Sequence, residues 1–185
     1  MDKTRRVQFS TPRCILRPAT IADLPHVEQG IGDPLFPLLL PLSEMHRDGQ
    51  LQDWLERMCE RGARGDICLW SVDLRSGEPC IGQVGLVRRG ESGEWMLSFW
   101  LAPRYWGKSL AREAVGRLLQ YAFAEHGIEH VSAAAATWNV ASKSLLLSFG
   151  FQVAGESDAG YEVDGKAQAV IEFSLSAPGR NFRFS

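Results

Sequence analysis

The chain alternates between two kinds of hydrophobic pattern. Three short runs rich in apolar and β-branched residues, Ile67–Leu74, 81–87 and Glu94–Leu101, are separated only by the turn segments 75–79 and 88–93. Runs of that length with tight connections predict strands in an antiparallel meander. Elsewhere the period lengthens to that of a helix. Leu51, Trp54, Leu55 and Met58 recur at helical spacing ahead of Gly62 and Gly65, which predicts a helix from Ser43 through the 50s. Leu110, Ala114, Val115, Leu118, Tyr121 and Ala122 form a second stripe, predicting a helix over 109–126 that Gly127 stops.

The remaining segments complete one mixed sheet. Residues 13–17 read as a first strand, and Thr20 with Asp23 three positions on reads as the capping box of a helix running to about Gly30. Three prolines among leucines make 33–43 an apolar loop or broken helix, expected to pack on the core rather than line a pocket. Residues 131–137 (VSAAAAT) favour helix by propensity, but their place between two helices favours a buried strand. Asn139 caps a helix to Phe149 that Gly150 ends. Two strands near 152–156 and 167–175 flank a turn at Asp164-Gly165. If Glu94–Leu101 and 131–137 are parallel, they and the helix between them form a right-handed βαβ unit. The fold class is α/β (α+β): one mixed, mostly antiparallel sheet with helices on both faces. Residues 9–175 form a single domain, with 1–8 and 177–185 as flexible termini.

Composition narrows the function classes. With 185 residues, 45% hydrophobic and 23% charged, the chain suits one domain with a full core. A formal net charge of −2 argues against a general nucleic-acid binder. No apolar run approaches the roughly 20 residues that span a bilayer, and the charged first ten residues lack a secretory segment, so the cytoplasm is the expected location. Cys14, Cys59, Cys68 and Cys80 show no Cys-x-x-Cys spacing, and with the four histidines they make no metal signature. Buried, reduced thiols are expected.

The stretch with chemical content is Glu94 to Arg112. A strand ends near Pro103, and Gly107 and Lys108 sit just before a helix. Unpaired N–H groups at a helix N-terminus suit an anion such as a phosphate. Gly107-Lys108-Ser109 has the look of a P-loop ending, but the first glycine of G-x-x-x-x-G-K-[ST] falls on Ala102, and Tyr105 and Trp106 are bulky where the loop should wrap phosphate.

The same residues resemble the GCN5-related N-acetyltransferases (GNAT), in the branch of the ribosomal-protein N-terminal acetyltransferases of RimJ/RimL type. The branch pattern L-A-P-x-Y-W-G-K-G-Y-A is similar to Leu101-Ala102-Pro103-Arg104-Tyr105-Trp106-Gly107-Lys108-Ser109-Leu110-Ala111. Trp106 stands at the Gln/Arg position of the coenzyme A signature, and Ser109 replaces its central glycine. Asn139-x-x-Ser142 followed by Phe149-Gly150-Phe151, and the opening Arg13-Cys14-Ile15-Leu16-Arg17-Pro18, resemble further marks of the branch.

The resemblance implies acetyl-CoA as co-substrate and a sheet splayed between the fourth and fifth strands of this reading. It implies that the backbone of Phe99, Trp100 and Leu101 runs beside the pantetheine. The amides from Gly107 through Lys108, Ser109, Leu110 and Ala111 to Arg112 would hold the pyrophosphate, and Trp106 would be a further coenzyme-binding residue. Asn139 would bond the pantetheine arm, with Lys143 or Lys108 reaching a phosphate. Many family members use a tyrosine as acid where this chain has Leu146; the branch instead has a serine within reach of the sulfur, and the resemblance implies Ser142 as the hydrogen-bonding partner of the leaving thiolate. Candidate bases are Glu94, Glu156 and Asp158, any of them through water. The expected activity is acetyl transfer to a primary amine, on a protein N-terminus or a small molecule, by direct attack on the thioester. A catalytically weak or inactive acyl-CoA-binding sensor or scaffold is the alternative, and Ser109 and the missing tyrosine keep it open. A nucleotide hydrolase is the third reading. No metal, nucleic acid or membrane partner is expected, and a homodimer stays open.

Overall fold

A computed structural model describes residues 7–89 and 93–177. Eight strands form one sheet in the order β1-β2-β3-β4-β5-β6-β8-β7. They are β1 (Phe9–Ser10), β2 (Cys14–Pro18), β3 (Ile67–Leu74), β4 (Gly82–Arg89), β5 (Glu94–Leu101), β6 (His130–Ala136), β7 (Gln152–Val163) and β8 (Lys166–Ser176). The helices are α1 (Leu24–Ile31), α2 (Pro41–Arg47), α3 (Leu51–Arg64), α4 (Leu110–Gln120) and α5 (Val140–Ser148). Neighbouring strands run antiparallel except β5 and β6. That pair is joined at only two positions, Trp95 with Val131 and Met96 with Ser132. Beyond them the strands part, at the place the sequence resemblance implied.

Two apolar clusters cover the two faces. Val84, Leu86, Leu97, Ala133 and Phe173 pack against the stripe of α4 and against Leu146 and Phe149. Every member of that stripe, Leu110 through Ala122, is buried. On the other face Val27, Ile31, Phe36, Leu51 and Leu55 form a smaller cluster that reaches Leu69 and Trp100. The alanine run is strand after all: β6 pairs with β8 from His130 to Ala136, so tertiary pairing overrides alanine's helix propensity.

Several boundaries differ from the sequence expectation, each for a local reason. One helix from Ser43 becomes two, because Gly49 takes φ +68° and breaks the run before Leu51. The long helix ends its α-helical part at Gln120 and passes into a π turn, Tyr121–Glu125. That turn sets the Tyr121 ring 4.8 Å from Phe9 and 5.5 Å from Trp70. The strand expected at 152–156 runs on to Val163 and closes on β8 through Asp164 and Gly165, both at positive φ, the geometry of a two-residue hairpin. The apolar loop divides its roles. Phe36 is buried, whereas Leu35, Leu38 and Leu39 are exposed. The expected tail beyond Ala177, the segment before Val7 and the centre of the 88–93 turn lie outside the described residues.

A buried polar line crosses the smaller cluster. Asp23, 2% exposed, accepts from Arg17 Nη2 at 2.6 Å, from the Thr20 N–H at 2.9 Å and from the Ser71 hydroxyl at 2.8 Å. Arg17 also donates to Asp73 at 2.7 Å. Gln83 Nε2 then donates to Ser71, and Trp100 Nε1 to Gln83 Oε1 at 3.3 Å. Burial pushes the Asp23 carboxyl up, but bonds from Arg17, Thr20 and Ser71 outweigh it and hold the group below its usual range.

A carboxyl depressed in the folded state contributes stability above its unfolded value, and that stability is lost as pH falls through the folded value. Acid titration should therefore destabilise the protein progressively below about pH 4, and Asp23→Asn should flatten that part of a denaturant-melt pH series. Asp23→Ala leaves Arg17 short of a partner and should cost about 3 kcal/mol at neutral pH. Gly82→Ala makes a separate test of the strand junction. An added Cβ would lie 2.2 Å from the Trp100 carbonyl oxygen, so a loss of about 2 kcal/mol is expected in the same melts.

Candidate active site

The parting of β5 and β6 opens a cavity of about 510 Å³, a size suited to a small ligand or cofactor. One wall is the end of β5 (Phe99, Trp100 and Leu101). The second is the turn with Trp106, Gly107 and Ser109 and the start of α4 with Leu110, Ala111 and Arg112. The third is α5, through Asn139, Ala141, Ser142, Ser144, Leu145 and Ser148, and the fourth is the loop with Phe36, Pro37 and Leu40. The loop expected to pack on the core thus also lines the pocket. A smaller cavity of about 210 Å³ lies between α3 and β3, lined by Met58, Cys59 and Cys68 among apolar neighbours, with no carboxylate or cation on its walls among the described residues.

The structure brings together eleven of the sequence candidates. Phe99, Trp100, Leu101, Trp106, Gly107, Ser109, Leu110, Ala111, Arg112, Asn139 and Ser142 all line the one cavity. Trp106 is anchored over the strand end, its indole N–H donating to the Leu101 carbonyl at 2.7 Å. Asn139 caps α5, with Oδ1 accepting from the Ser142 N–H at 3.1 Å. This bond uses only the amide oxygen, so its NH₂ is without a partner among the described residues. Five candidates, two lysines and three carboxylates, stand outside the lining. Lys108 lies with Nζ 5.7 Å from the centre of the Tyr105 ring. Lys143 donates to the Thr137 carbonyl instead. The cation on the cavity wall is Arg112, which stacks over Phe149 at 5.4 Å.

Glu94 begins β5, five residues before Phe99, and at the strand rise this separates them by about 17 Å. Glu156 pairs with Ile171 on β8, which pairs with Ala135 on β6. Glu156 therefore sits about 10 Å from β6, two strand spacings away, and is exposed, as is Asp158. None of the three carboxylates lines the cavity. Leu146, at the expected tyrosine position, is 1% exposed and faces the core.

The turn answers the question its serine raises. Ser109 does occupy the left-handed region, at φ +59° and ψ 15°, two residues after Gly107 at +69°. Successive N–H groups in such a turn form an anion-binding concavity at the start of a helix. The serine hydroxyl makes no capping bond there. Burial pushes the Cys80 thiol up to about 12 and the Cys14 thiol up to about 11, away from the thiolate form a nucleophile needs. Among the described residues no group of three or more His, Cys, Asp or Glu could hold a metal ion, and no helix is long and apolar enough to cross a membrane.

The sequence reading missed what surrounds the cavity. Arg47 Nη2 bonds both carboxylate oxygens of Asp164 at 2.8 Å, and Glu44 accepts the Asp164 N–H at 2.7 Å. Tyr161 donates to the Leu39 carbonyl at 2.9 Å. These contacts tie α2 and its preceding loop to the β7–β8 hairpin. The residues are more than a hundred positions apart, and the only advance signal was the Asp164-Gly165 turn.

Comparison with known proteins agrees with this geometry. The chain is 25% identical over 166 residues to the uncharacterized N-acetyltransferase p20 of Bacillus licheniformis, covering 89% of this chain and 93% of p20. The fold matches RimJ of Mycobacterium smegmatis, solved in complex with CoA-disulfide, with a TM-score of 0.80 at 16% identity, covering 95% of this chain and 90% of RimJ. It also matches the ribosomal-protein-S5-alanine acetyltransferase of Vibrio fischeri, with a TM-score of 0.78 at 18% identity, covering 95% of this chain and all of the other. The profile of the acetyltransferase (GNAT) domain matches residues 13–152, and the chain belongs to the GNAT acetyltransferase family.

Proposed function

We propose that the protein is an acetyl-CoA-dependent N-acetyltransferase acting on a primary amine, either a protein N-terminal α-amino group or a small-molecule amine. The observation that carries this reading is the single cavity in which the splayed end of β5, the left-handed turn before α4 and the Asn139–Ser142 cap meet. RimJ, whose fold it shares, was solved with a coenzyme A disulfide, which supports the same ligand here.

Acetyl-CoA supplies the activated acyl group as a thioester. This chain's residues would hold it and ease the exchange. The turn from Gly107 to Arg112 offers backbone N–H groups to the pyrophosphate, and Arg112 adds a guanidinium on the wall. The free amide NH₂ of Asn139 suits a carbonyl of the pantetheine arm. The edge of β5 beyond Met96 has no ladder partner on β6, so its backbone groups can bond the pantetheine and polarise the thioester carbonyl. The amine attacks that carbonyl, the tetrahedral adduct collapses, and the thiolate leaves. Ser142 stands on the wall to hydrogen-bond the departing sulfur; a serine hydroxyl is too weak an acid to do more. The proton from the amine passes to water, with Glu94 and Glu156 too far to take it directly. An α-amino group, with a pKa near 8, needs little more.

A second reading rests on a specific observation. Among the described residues no Asp, Glu or His lines the cavity, and Leu146, buried, stands where many relatives carry a tyrosine acid. An acyl-CoA-binding sensor with little or no turnover fits those facts too.

Release of free thiol from acetyl-CoA, measured against a panel of amines and N-terminal peptides, separates the two. Amine-dependent release is expected. Ser142→Ala should lower kcat about tenfold with little change in KM, whereas Asn139→Ala should mainly raise KM for acetyl-CoA. Coenzyme A binding with no release on any acceptor would leave only the sensor.

A further inference from the structure

The turn before α4 is built on a residue poorly suited to it. At φ +59° the Cβ of Ser109 crowds its own backbone, a conformation that glycine adopts freely and serine does not. No side-chain capping bond offsets this. Relaxation to negative φ would rotate the peptide on one side of Ser109 or the other, and both are held. On the far side, the Ser109 carbonyl accepts from the Glu113 N–H at 3.1 Å. On the near side, the Lys108 carbonyl accepts from Arg13 Nη1 at 2.9 Å. A peptide unit is planar and trans, so its carbonyl and N–H point in opposite directions. Arg13, by holding the Lys108 carbonyl, thereby fixes where the Ser109 N–H points.

Arg13 is itself fixed. Its Nε donates to Glu113 Oε2 at 2.8 Å and its backbone N–H to Glu113 Oε1 at 2.7 Å. The Thr11 hydroxyl donates to the same Oε1. An isolated exposed ion pair would hold little, but here one carboxylate takes three bonds and its side chain is 13% exposed. Burial raises the Glu113 carboxyl, and the bonds from Thr11 and Arg13 more than reverse it.

We propose that Arg13 is a positioning residue for the coenzyme turn, holding the Lys108 carbonyl so that the turn's N–H groups face the pyrophosphate although Ser109 favours another conformation. The proposal rests on the reading of this turn as the coenzyme A site. The tether spans 95 positions of sequence, so the strained turn is locked from the β1–β2 segment and not from its own helix alone.

The signature is non-additivity between Arg13 and Ser109. Calorimetric Kd values for coenzyme A should be measured for the wild type, Arg13→Ala, Ser109→Gly and the double variant, with thermal midpoints for each. Arg13→Ala should weaken binding about tenfold, with KM for acetyl-CoA rising and kcat held. Ser109→Gly should bind at least as tightly as wild type and raise the midpoint by about 2–4 °C. With Ser109→Gly in place, Arg13→Ala should cost less than about twofold, because glycine populates the turn unaided. Arg13→Lys keeps the charge without the guanidinium fork and should not restore binding. Glu113→Gln, which loosens Arg13 from the helix side, runs the same cycle should Arg13→Ala fail to fold. Wild-type protein that does not bind coenzyme A overturns the coenzyme reading itself. Wild-type binding with the same Arg13→Ala penalty in both backgrounds, with no penalty, or with full rescue by Arg13→Lys overturns the tether alone.

Discussion

Two rungs of a parallel ladder, Trp95 with Val131 and Met96 with Ser132, decide what this sheet can do. Were β5 and β6 paired along their length, the sheet would be continuous and there would be no cavity. Because pairing stops, the facing backbone edges need another partner, since unmatched N–H and C=O groups are costly to bury. The rest of the fold makes the opening tolerable. β4 grips β5 from Arg89–Glu94 to Gly82–Leu101 along its other edge, and β8 grips β6 from His130 to Ala136. Each strand is thus secured from behind while the edge between them stays open.

Apolar burial and polar bonding divide the labour. The cluster under α4 and α5 holds the sheet together with residues that carry no direction in their interactions. The polar line from Arg17 and Asp23 through Ser71 and Gln83 to Trp100 adds direction. It runs from β2 across β3 and β4 to β5, and its last member is a wall of the cavity. Phe36 meets that indole edge-on, with ring centres 6.1 Å apart. The orientation of one aromatic wall is therefore linked, through Gln83 on β4 and Ser71 on β3, to the buried carboxylate of Asp23.

Most of the scaffold was legible because it follows local rules. Ile67–Leu74 and Glu94–Leu101 end where their apolar runs end, Asn139 and Gly150 punctuate a helix, and the stripe of α4 is buried as its spacing requires. The break at Gly49 was harder, since helical periodicity continues on both sides of it. What the sequence could not show were long-range polar choices. Lys108 and Lys143 carry the right charge for a phosphate, yet one lies against an aromatic ring and the other bonds a nearby carbonyl. Arg13 looked like the first residue of a strand, and its bond to Lys108 depends on how β2 and α4 are brought together. Ser109 could be flagged from the sequence, but its backbone angle could only be read from the fold.

The ties between α2 and the closing hairpin bear on how relatives can diverge. The segment shared with the family profile ends at Gln152, where β7 begins. Tyr161 and Asp164, which fasten the hairpin to Leu39, Glu44 and Arg47, lie beyond it. The elements around the turn and the strand opening fall inside the shared segment, and one wall of the outer rim is supplied by chain outside it. Such an arrangement is modular: a lineage can rebuild the rim, with a longer hairpin or a different fastening, while leaving the inner machinery untouched.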